Sequence, residues 1–157
     1  MNQSILSYLS KCCSKETASI NRLFVSSFVH INNIEVHNNI LIKSYLITGN
    51  DNDAESLKAF IKIIQESIDV FSFERLVELY EFVVSPADKI VNGAVYTPKH
   101  IRDFITTQTL SRVINEYDRL RIADISCGCG GFLLTAAQKL KDLTHLSYAE
   151  IFKNNLF

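Results

Sequence analysis

The sequence predicts a mostly α-helical fold, in which a helical N-terminal domain over residues 1–90 precedes the first strand–turn–helix unit of an α/β domain over residues 91–157. Three observations lead to this prediction. Apolar residues recur every three or four positions in the first part, three glycines at 128–131 separate an apolar segment from another helical pattern, and 47% of the residues are hydrophobic while 21% are charged. Such a composition is typical of a globular chain with a buried core.

Two kinds of segment that would place the protein at or across a membrane are missing from the sequence. No apolar run approaches the roughly 18 residues of a membrane span. The first ten residues also lack the basic start and long apolar stretch of a secretion signal. We therefore expect a cytoplasmic protein that has no membrane partner.

The first fifty residues favour helices. Two groups of apolar residues have helical spacing: Ile5, Leu9 and Cys12, and then Ile20, Phe24 and Phe28. A hairpin is the alternative further on, because the pair at 38–39 is Asn-Asn and lies between two apolar triplets.

Two helices are predicted between residues 52 and 86. The first begins with a capping box made by Asn52 and Glu55, and the second is capped by Ser72 and ends at the Ser-Pro pair at 85–86. Their apolar residues form one stripe on each helix: Leu57, Phe60, Ile61, Ile64, Ile68 and Phe71 on the first, and Leu76, Val77, Tyr80, Val83 and Val84 on the second.

The remaining residues have a different pattern. Thr97 is predicted to cap a helix that has Pro98 at its first position. Its apolar residues are Ile101, Phe104, Ile105, Val113 and Ile114. A short buried strand at 121–125, a glycine-rich turn at 126–131 and a helix at 132–143 follow. Ser147 and Glu150 then form a capping box for a last helix.

The four cysteines do not predict a disulfide framework or a metal site. Cys12 and Cys13 are adjacent, and Cys127 and Cys129 are separated by one residue, so neither pair has zinc-ligand spacing. We expect reduced thiols and no metal.

The glycine-rich turn is the segment most suited to ligand binding. Glycine permits positive φ and lets a ligand approach the backbone, and the N-terminus of the following helix attracts an anionic or electron-rich group. The turn is not a dinucleotide-binding fingerprint, because Leu133 stands where that pattern needs glycine or alanine, and no Gly-Lys-Ser/Thr of a P-loop follows. Taken alone, it is compatible equally with a ligand site and with a structural turn.

The segment at 123–133, Ala-Asp-Ile-Ser-Cys-Gly-Cys-Gly-Gly-Phe-Leu, resembles the cofactor motif of amino-methylating DNA methyltransferases, Asp-Pro-Ala/Ser-Cys-Gly-Ser/Thr-Gly-Gly-Phe-Leu. Ile125 replaces the usual proline, and Cys129 replaces the usual serine or threonine. Upstream, Gly-Ala-Val-Tyr-Thr-Pro at 93–98 resembles the Gly-x-Phe/Tyr-Tyr/Phe-Thr-Pro motif of the same family. The order and spacing of the two motifs are those of N6-adenine methyltransferases, above all type I modification subunits and fused restriction-modification enzymes.

This resemblance implies a Rossmann-like methyltransferase domain and S-adenosylmethionine as cofactor. It implies that Tyr96, Thr97 and Pro98 contact the methionine end, that Asp124 orients the turn and meets the cofactor's amino group, and that the turn backbone lines the pocket. Cys127 would be a wall residue and not a nucleophile. The implied cofactor-binding residues are Tyr96, Thr97, Pro98, Asp124, Ser126, Cys127, Gly128, Cys129 and Gly130.

The catalytic motif of the family is missing from these 157 residues. Family members polarise the adenine amine with Asn/Asp-Pro-Pro-Tyr/Phe, whereas the two prolines here, Pro86 and Pro98, are not adjacent. We therefore predict no catalytic residue in this chain. The next family strand, which ends in the acidic residue that binds the cofactor ribose, would begin at 156–157, so we expect a truncated methyltransferase domain that is inactive alone.

Two alternatives remain open from the sequence. The chain could be a helical subunit-interaction module with a vestigial cofactor loop, or its methyl acceptor could be protein glutamine or RNA, which matches the segment at 96–98 less well. The resemblance implies DNA as a partner in the full-length protein, together with specificity or restriction subunits, and leaves room for a homo-oligomer.

The charge balance predicts weak DNA binding by this chain. Sixteen Lys and Arg residues stand against 17 Asp and Glu, which gives a net charge of −1. Neutralisation of phosphates supplies most non-specific affinity, so we expect a dissociation constant no tighter than roughly micromolar at physiological salt. Fluorescence anisotropy with a labelled duplex, repeated at several salt concentrations, measures it. Tight, strongly salt-dependent binding would contradict the prediction.

Overall fold

The computed structural model describes residues 3–12, 17–49, 52–83, 96–113 and 116–157. The chain forms two compact units, Met1–Val84 and Ser85–Phe157. The predicted domain boundary at residue 90 lies outside the described residues. Within the described ranges, no helix combines the length and apolar character needed to cross a membrane.

The first unit is built from five described helices. These are α1 (Gln3–Cys12), α2 (Thr17–Ile31), α3 (Ile40–Tyr45), α4 (Ala54–Ser67) and α5 (Phe73–Val83). Helix α2 packs against α3, α4 and α5, while α1 packs against α4. The helical prediction for the first fifty residues is therefore confirmed where the structure describes them.

Phe60 is at the centre of the first core. Its side chain is fully buried, with the ring of Tyr8 stacked at 5.5 Å and that of Phe24 tilted at 5.9 Å between ring centroids. Ile5, Leu9 and Ile64 are also completely buried in the same cluster. The stripes predicted on α1, α2 and α4 therefore face one another, which is how amphipathic helices remove their apolar faces from water.

Local polar contacts decide where two of these helices begin. Asn39 accepts a hydrogen bond from the backbone N–H of Ile42 at 3.0 Å and so caps α3, which excludes the hairpin alternative at 38–39. Ser72 accepts one from the N–H of Arg75 at 3.3 Å, as predicted for α5. The capping box predicted from Asn52 and Glu55 is wrong, because the cap position of α4 is Asp53 and has no side-chain cap bond.

The second unit contains three described α-helices and one 3-10 turn. The helices are α6 (Lys99–Leu110), α7 (Gly131–Leu143) and α8 (Tyr148–Asn154), and the turn is Tyr117–Arg119. Helix α7 packs against both α6 and α8. The buried apolar residues at these contacts are Leu110, Ala136, Ala137, Leu140, Ile151 and Leu156.

The buried strand predicted at 121–125 does not form. In the described part of the chain, the segment makes one isolated parallel bridge, between Ile122 and Leu156. Ile122 N–H donates to the Asn155 carbonyl at 2.7 Å, and Phe157 N–H donates to the Ile122 carbonyl at 2.8 Å. Ile125 is fully exposed. With a single pairing partner, the segment has neither the ladder nor the covering layer that a buried strand needs.

Helix α6 departs from the predicted orientation. Its apolar residues Ile101, Phe104 and Ile105 are all exposed, and the residues it buries are Arg102, Thr106 and Leu110. The buried residues of α6 therefore recur at every fourth position. They lie on a different side of the helix from the apolar stripe that the sequence predicted.

The beginning of α6 is also shifted. Its cap position is Pro98 and its first residue is Lys99, and no side chain caps it, so the predicted cap by Thr97 is wrong. Pro98 instead contributes its carbonyl oxygen, which accepts from the N–H groups of Ile101 at 3.0 Å and Arg102 at 3.1 Å.

The capping box predicted at α8 is confirmed. The Ser147 Oγ accepts from the Glu150 N–H at 3.3 Å, while the Glu150 Oε2 accepts from the Ser147 N–H at 2.8 Å and the Ser147 hydroxyl at 2.7 Å. These hydrogen bonds to the carboxylate lower the pKa of Glu150 below its ordinary value, first through the Ser147 N–H, then through its hydroxyl, with a further contribution from Lys141.

The capping box predicts that the pKa of Glu150 depends on Ser147. In Ser147→Ala, the pKa of Glu150 should rise towards its ordinary value, because one of the two donors to the carboxylate is removed. Since the folded-state pKa is lowered, the carboxylate stabilises α8 above the pKa of the unfolded chain, and this stabilisation is lost as the pH falls through the folded-state pKa. Carboxyl-detected NMR of both proteins measures the midpoint.

The control for this titration is Ser10→Ala, because the Ser10 hydroxyl donates to the Leu6 carbonyl within α1 of the other unit. The Glu150 midpoint should be the same in this variant as in the wild type. An unchanged Glu150 midpoint in Ser147→Ala would show that the capping box does not form in solution.

Candidate cofactor site

The glycine-rich turn is held together by its own polar groups. The Asp124 Oδ1 accepts a hydrogen bond from the Ser126 N–H at 3.1 Å, which closes a turn around Ile125. The Gly130 N–H then donates to the Cys127 carbonyl at 2.7 Å. The carboxylate at 124 is therefore hydrogen-bonded to the backbone of the turn that follows it.

Two glycines in this turn adopt the left-handed conformation. Gly128 has φ +54° and Gly130 has φ +80°. Residues with a side chain rarely adopt such values, and β-branched ones do so at a clear energetic cost. These two positions let the chain reverse direction within a few residues and enter α7 directly.

The entrance to α7 offers backbone donors to a ligand. Gly130 occupies the cap position, so no side chain caps the first N–H groups of the helix, and no acidic residue lies in its first turn. The N-terminus of a helix has a partial positive charge that favours carboxylates and other electron-rich groups. The surface is accessible here, because Ser126, Cys127 and Gly128 are exposed.

The structure brings Tyr96, in the described end of the first motif, against the glycine-rich turn. A Cβ placed on Gly128 would lie 3.6 Å from the Cε1 of Tyr96, so the ring of Tyr96 lies directly against the turn. Tyr96 and Thr97 are half-buried, while Pro98 is exposed. The segment at 96–98 and the turn at 124–130 thus form one continuous surface, although about thirty positions separate them in the sequence.

The two cysteines of the glycine-rich turn lie in no cluster of metal-ligand type among the described residues. Cys127 is exposed and its Sγ lies 3.7 Å from the carbonyl oxygen of Gly128, and Cys129 is half-buried. Within the described ranges, no group of three His, Cys, Asp or Glu residues is arranged to hold a metal ion. Cys13 lies outside these ranges.

Sequence reasoning missed Arg102 as a member of this region. Its Nη1 donates to the Thr97 carbonyl at 2.9 Å, and its side chain lies against Gly131 at the beginning of α7. The apolar stripe at 101, 104 and 105 pointed to a different side of α6. A signal was present in the four-residue spacing of Arg102, Thr106 and Leu110, but a charged residue does not normally indicate a buried face.

The fold and the site together can be compared with known proteins. A family model described as N-6 DNA Methylase matches residues 71–154, which is more than half of the chain. The match begins before α5 and includes α6, the glycine-rich turn, α7 and α8. No curated protein and no solved structure matches the chain. A match of this extent, over both motifs in their order, shows that the chain belongs to the N-6 DNA methylase family.

Proposed function

We propose that this chain is the N-terminal part of a site-specific DNA adenine-N6 methyltransferase of a restriction-modification system, and that it carries the half-site for the methionine end of S-adenosylmethionine. The observation that carries the proposal is the contact of Tyr96 with Gly128, which joins both family motifs into one surface. Residues 91–157 would be the beginning of the Rossmann-like methyltransferase domain, and residues 1–90 would be a helical domain that precedes it.

The residues at the turn fit the methionine end of the cofactor. Gly128 leaves the backbone open to a ligand because it has no side chain and has positive φ. The uncapped N-terminus of α7 and the Thr97 hydroxyl would bind the carboxylate, and Asp124 would interact with the amino group. The ring of Tyr96 would cover the aliphatic part. Ser126, Cys127, Cys129 and Gly130 would line the pocket through their backbone.

S-adenosylmethionine supplies an electrophilic methyl group when it is bound. The residues of this chain would bind and orient it, but they do not provide the groups that polarise an adenine amine. The lone pair of that nitrogen is delocalised into the base, and a flipped base needs both acceptors for its N–H groups and an aromatic partner for stacking. An Asn/Asp-Pro-Pro-Tyr/Phe segment is not among the 157 residues. The proposed role is therefore cofactor binding without transfer.

One observation favours a second function, that of a helical subunit-interaction module. Ile40 and Leu41 are strongly exposed on α3, and Val70 is strongly exposed before α5. Isolated exposed apolar side chains are common, whereas larger patches mark interfaces. Under this alternative, residues 1–90 would dock a specificity or restriction subunit and the glycine-rich turn would be vestigial. Cofactor binding distinguishes the two functions.

The proposal predicts weak binding of S-adenosylhomocysteine that depends on Gly128. The residues at the turn would contact only the methionine half of the ligand. The acidic residue that binds the ribose in the family is not among them. Loss of a hydrogen bond between a carboxylate and a ribose hydroxyl costs about 1.5–3 kcal/mol, or roughly ten- to a hundredfold in affinity. Gly128→Val should abolish what remains, because a β-branched side chain opposes positive φ and enters the space beside Tyr96. An NMR titration into the millimolar range detects binding of this strength.

Gly49→Val is the matched control for this titration. Gly49 lies in the first unit, and a Cβ there would meet no atom within 4 Å. The control should bind S-adenosylhomocysteine as the wild type does. Equal binding by wild type and Gly128→Val would mean that the turn is not the site, and no binding by the wild type would favour the interaction module.

A second prediction concerns transfer. Incubated with labelled S-adenosylmethionine and adenine-containing DNA, this chain should transfer no methyl group above a blank without protein, because the amine-polarising residues are missing from it. Scintillation counting of the recovered DNA measures transfer. Label on the adenine N6 would overturn the proposal that these residues bind cofactor without catalysing.

A further inference from the structure

Arg102 occupies an unusual position for a charged side chain. It is only 4% exposed, on the side of α6 that faces the core of the second unit. Arginine is rarely buried to this extent unless its guanidinium is paired. Here Nη1 donates to the carbonyl oxygen of Thr97 at 2.9 Å, five residues earlier in the chain. The side chain therefore holds the segment at 96–98, which lies just before its own helix.

A second contact of Arg102 is with the beginning of α7. A Cβ placed on Gly131 would lie 3.1 Å from the Cζ and Nε of Arg102 and 3.2 Å from its Cδ. Such distances are tighter than most real Cβ contacts, so a side chain at 131 would require the guanidinium to shift by a few tenths of an ångström. Gly131 does not have positive φ, unlike Gly128 and Gly130. The absence of a side chain at 131 therefore leaves space for the arginine.

The two contacts connect both parts of the proposed half-site. Through Thr97 the guanidinium holds the segment that carries Tyr96, and through Gly131 it lies against the residue where the turn enters α7. We infer that Arg102 is a positioning residue, which holds the segment at 96–98 against the turn so that the ring of Tyr96 covers Gly128. The identity of the ligand that this arrangement would bind, the methionine end of S-adenosylmethionine, rests on the proposed function.

The shape of the arginine side chain suits this role. Its planar guanidinium donates in fixed directions and presents a flat face, which can lie on the Cα of a glycine. A lysine keeps the charge but offers a single nitrogen on a flexible stem, and a methionine keeps similar length without any donor. Variants with lysine or methionine at position 102 therefore distinguish a side chain that positions the segment at 96–98 by hydrogen bonding from one that only fills space.

The test measures the position of Tyr96 independently of any ligand. The ring current of Tyr96 should shift the NMR signals of Gly128, and Tyr96→Leu gives the signal in the absence of the ring. In Arg102→Met, the Gly128 signals should move most of the way to their Tyr96→Leu positions, while far-ultraviolet circular dichroism stays that of a folded helical protein. The Gly128 signals of Arg102→Lys should lie between those of Arg102→Met and those of the wild type. Arg112→Met, an exposed residue just beyond α6, should leave Gly128 unchanged.

A ligand titration completes the test. Arg102→Met should bind S-adenosylhomocysteine roughly tenfold more weakly than the wild type, as expected when a charge-assisted contact that orders a site is lost, and Arg112→Met should bind unchanged. If the Gly128 signals move but the wild type binds no ligand, the positioning role stands and the proposed function fails. If Arg102→Met is folded and its Gly128 signals are those of the wild type, the positioning role is overturned.

A second variant covers the case in which Arg102→Met does not fold. Gly131→Ala keeps the arginine but adds the Cβ that meets its guanidinium, and alanine is otherwise favourable in a helix. The Gly128 signals should move in the same direction as in Arg102→Met, and Gly49→Ala should leave them in place. Unchanged Gly128 signals in Gly131→Ala would also overturn the inference.

Discussion

Close approach of two backbone segments is the constraint on which the second unit depends. The turn before α7 can meet the segment at 96–98 because two glycines remove atoms from the contact, each in a different way. Gly128 allows positive φ beneath the ring of Tyr96, and Gly131 leaves the space that the Arg102 side chain fills. A side chain at 128 would be strained by the positive φ, and a Cβ at 131 would lie 3.1 Å from the Arg102 guanidinium, which would then have to shift in a packed interior.

The surrounding elements hold the turn from its other end. Asn155 is almost completely buried, and its Nδ2 donates to the carbonyls of Asp118 at 3.2 Å and Leu120 at 2.7 Å. The backbone carbonyl of Asn155 accepts a hydrogen bond from the Ile122 N–H. One side chain and one backbone group at the end of α8 therefore fix the segment that leads to Asp124. The turn leads into α7, and α7 packs against α8. The segment before the turn and the helix after it therefore both contact α8 or its last residues.

The sequence predicted some features with local causes, misplaced two local caps, at Asn52 and Thr97, and failed where a distant partner decides. The Ser147–Glu150 capping box and the Ser72 cap depend on atoms within four residues, and both are present. The strand at 121–125 depends on pairing across the fold, and one bridge is all that the described residues provide. Periodicity also misplaced the buried face of α6, because contact with Gly131 selects Arg102, and a buried guanidinium has no signature in an apolar pattern. The candidate site residues were predicted from the motifs, while the contact between Tyr96 and Gly128 required coordinates.

Under the proposed function, cofactor binding and amine activation would depend on different residues, because the turn is organised by contacts of its own. The turn is organised by short-range contacts, namely Asp124 with the Ser126 N–H and Gly130 with the Cys127 carbonyl, and by the approach of α6. None of these contacts involves the residues that would polarise an adenine. A chain that contains the turn and α6 can therefore have a formed binding surface without a formed acceptor site. The proposed half-site is therefore built from contacts that these residues make with one another.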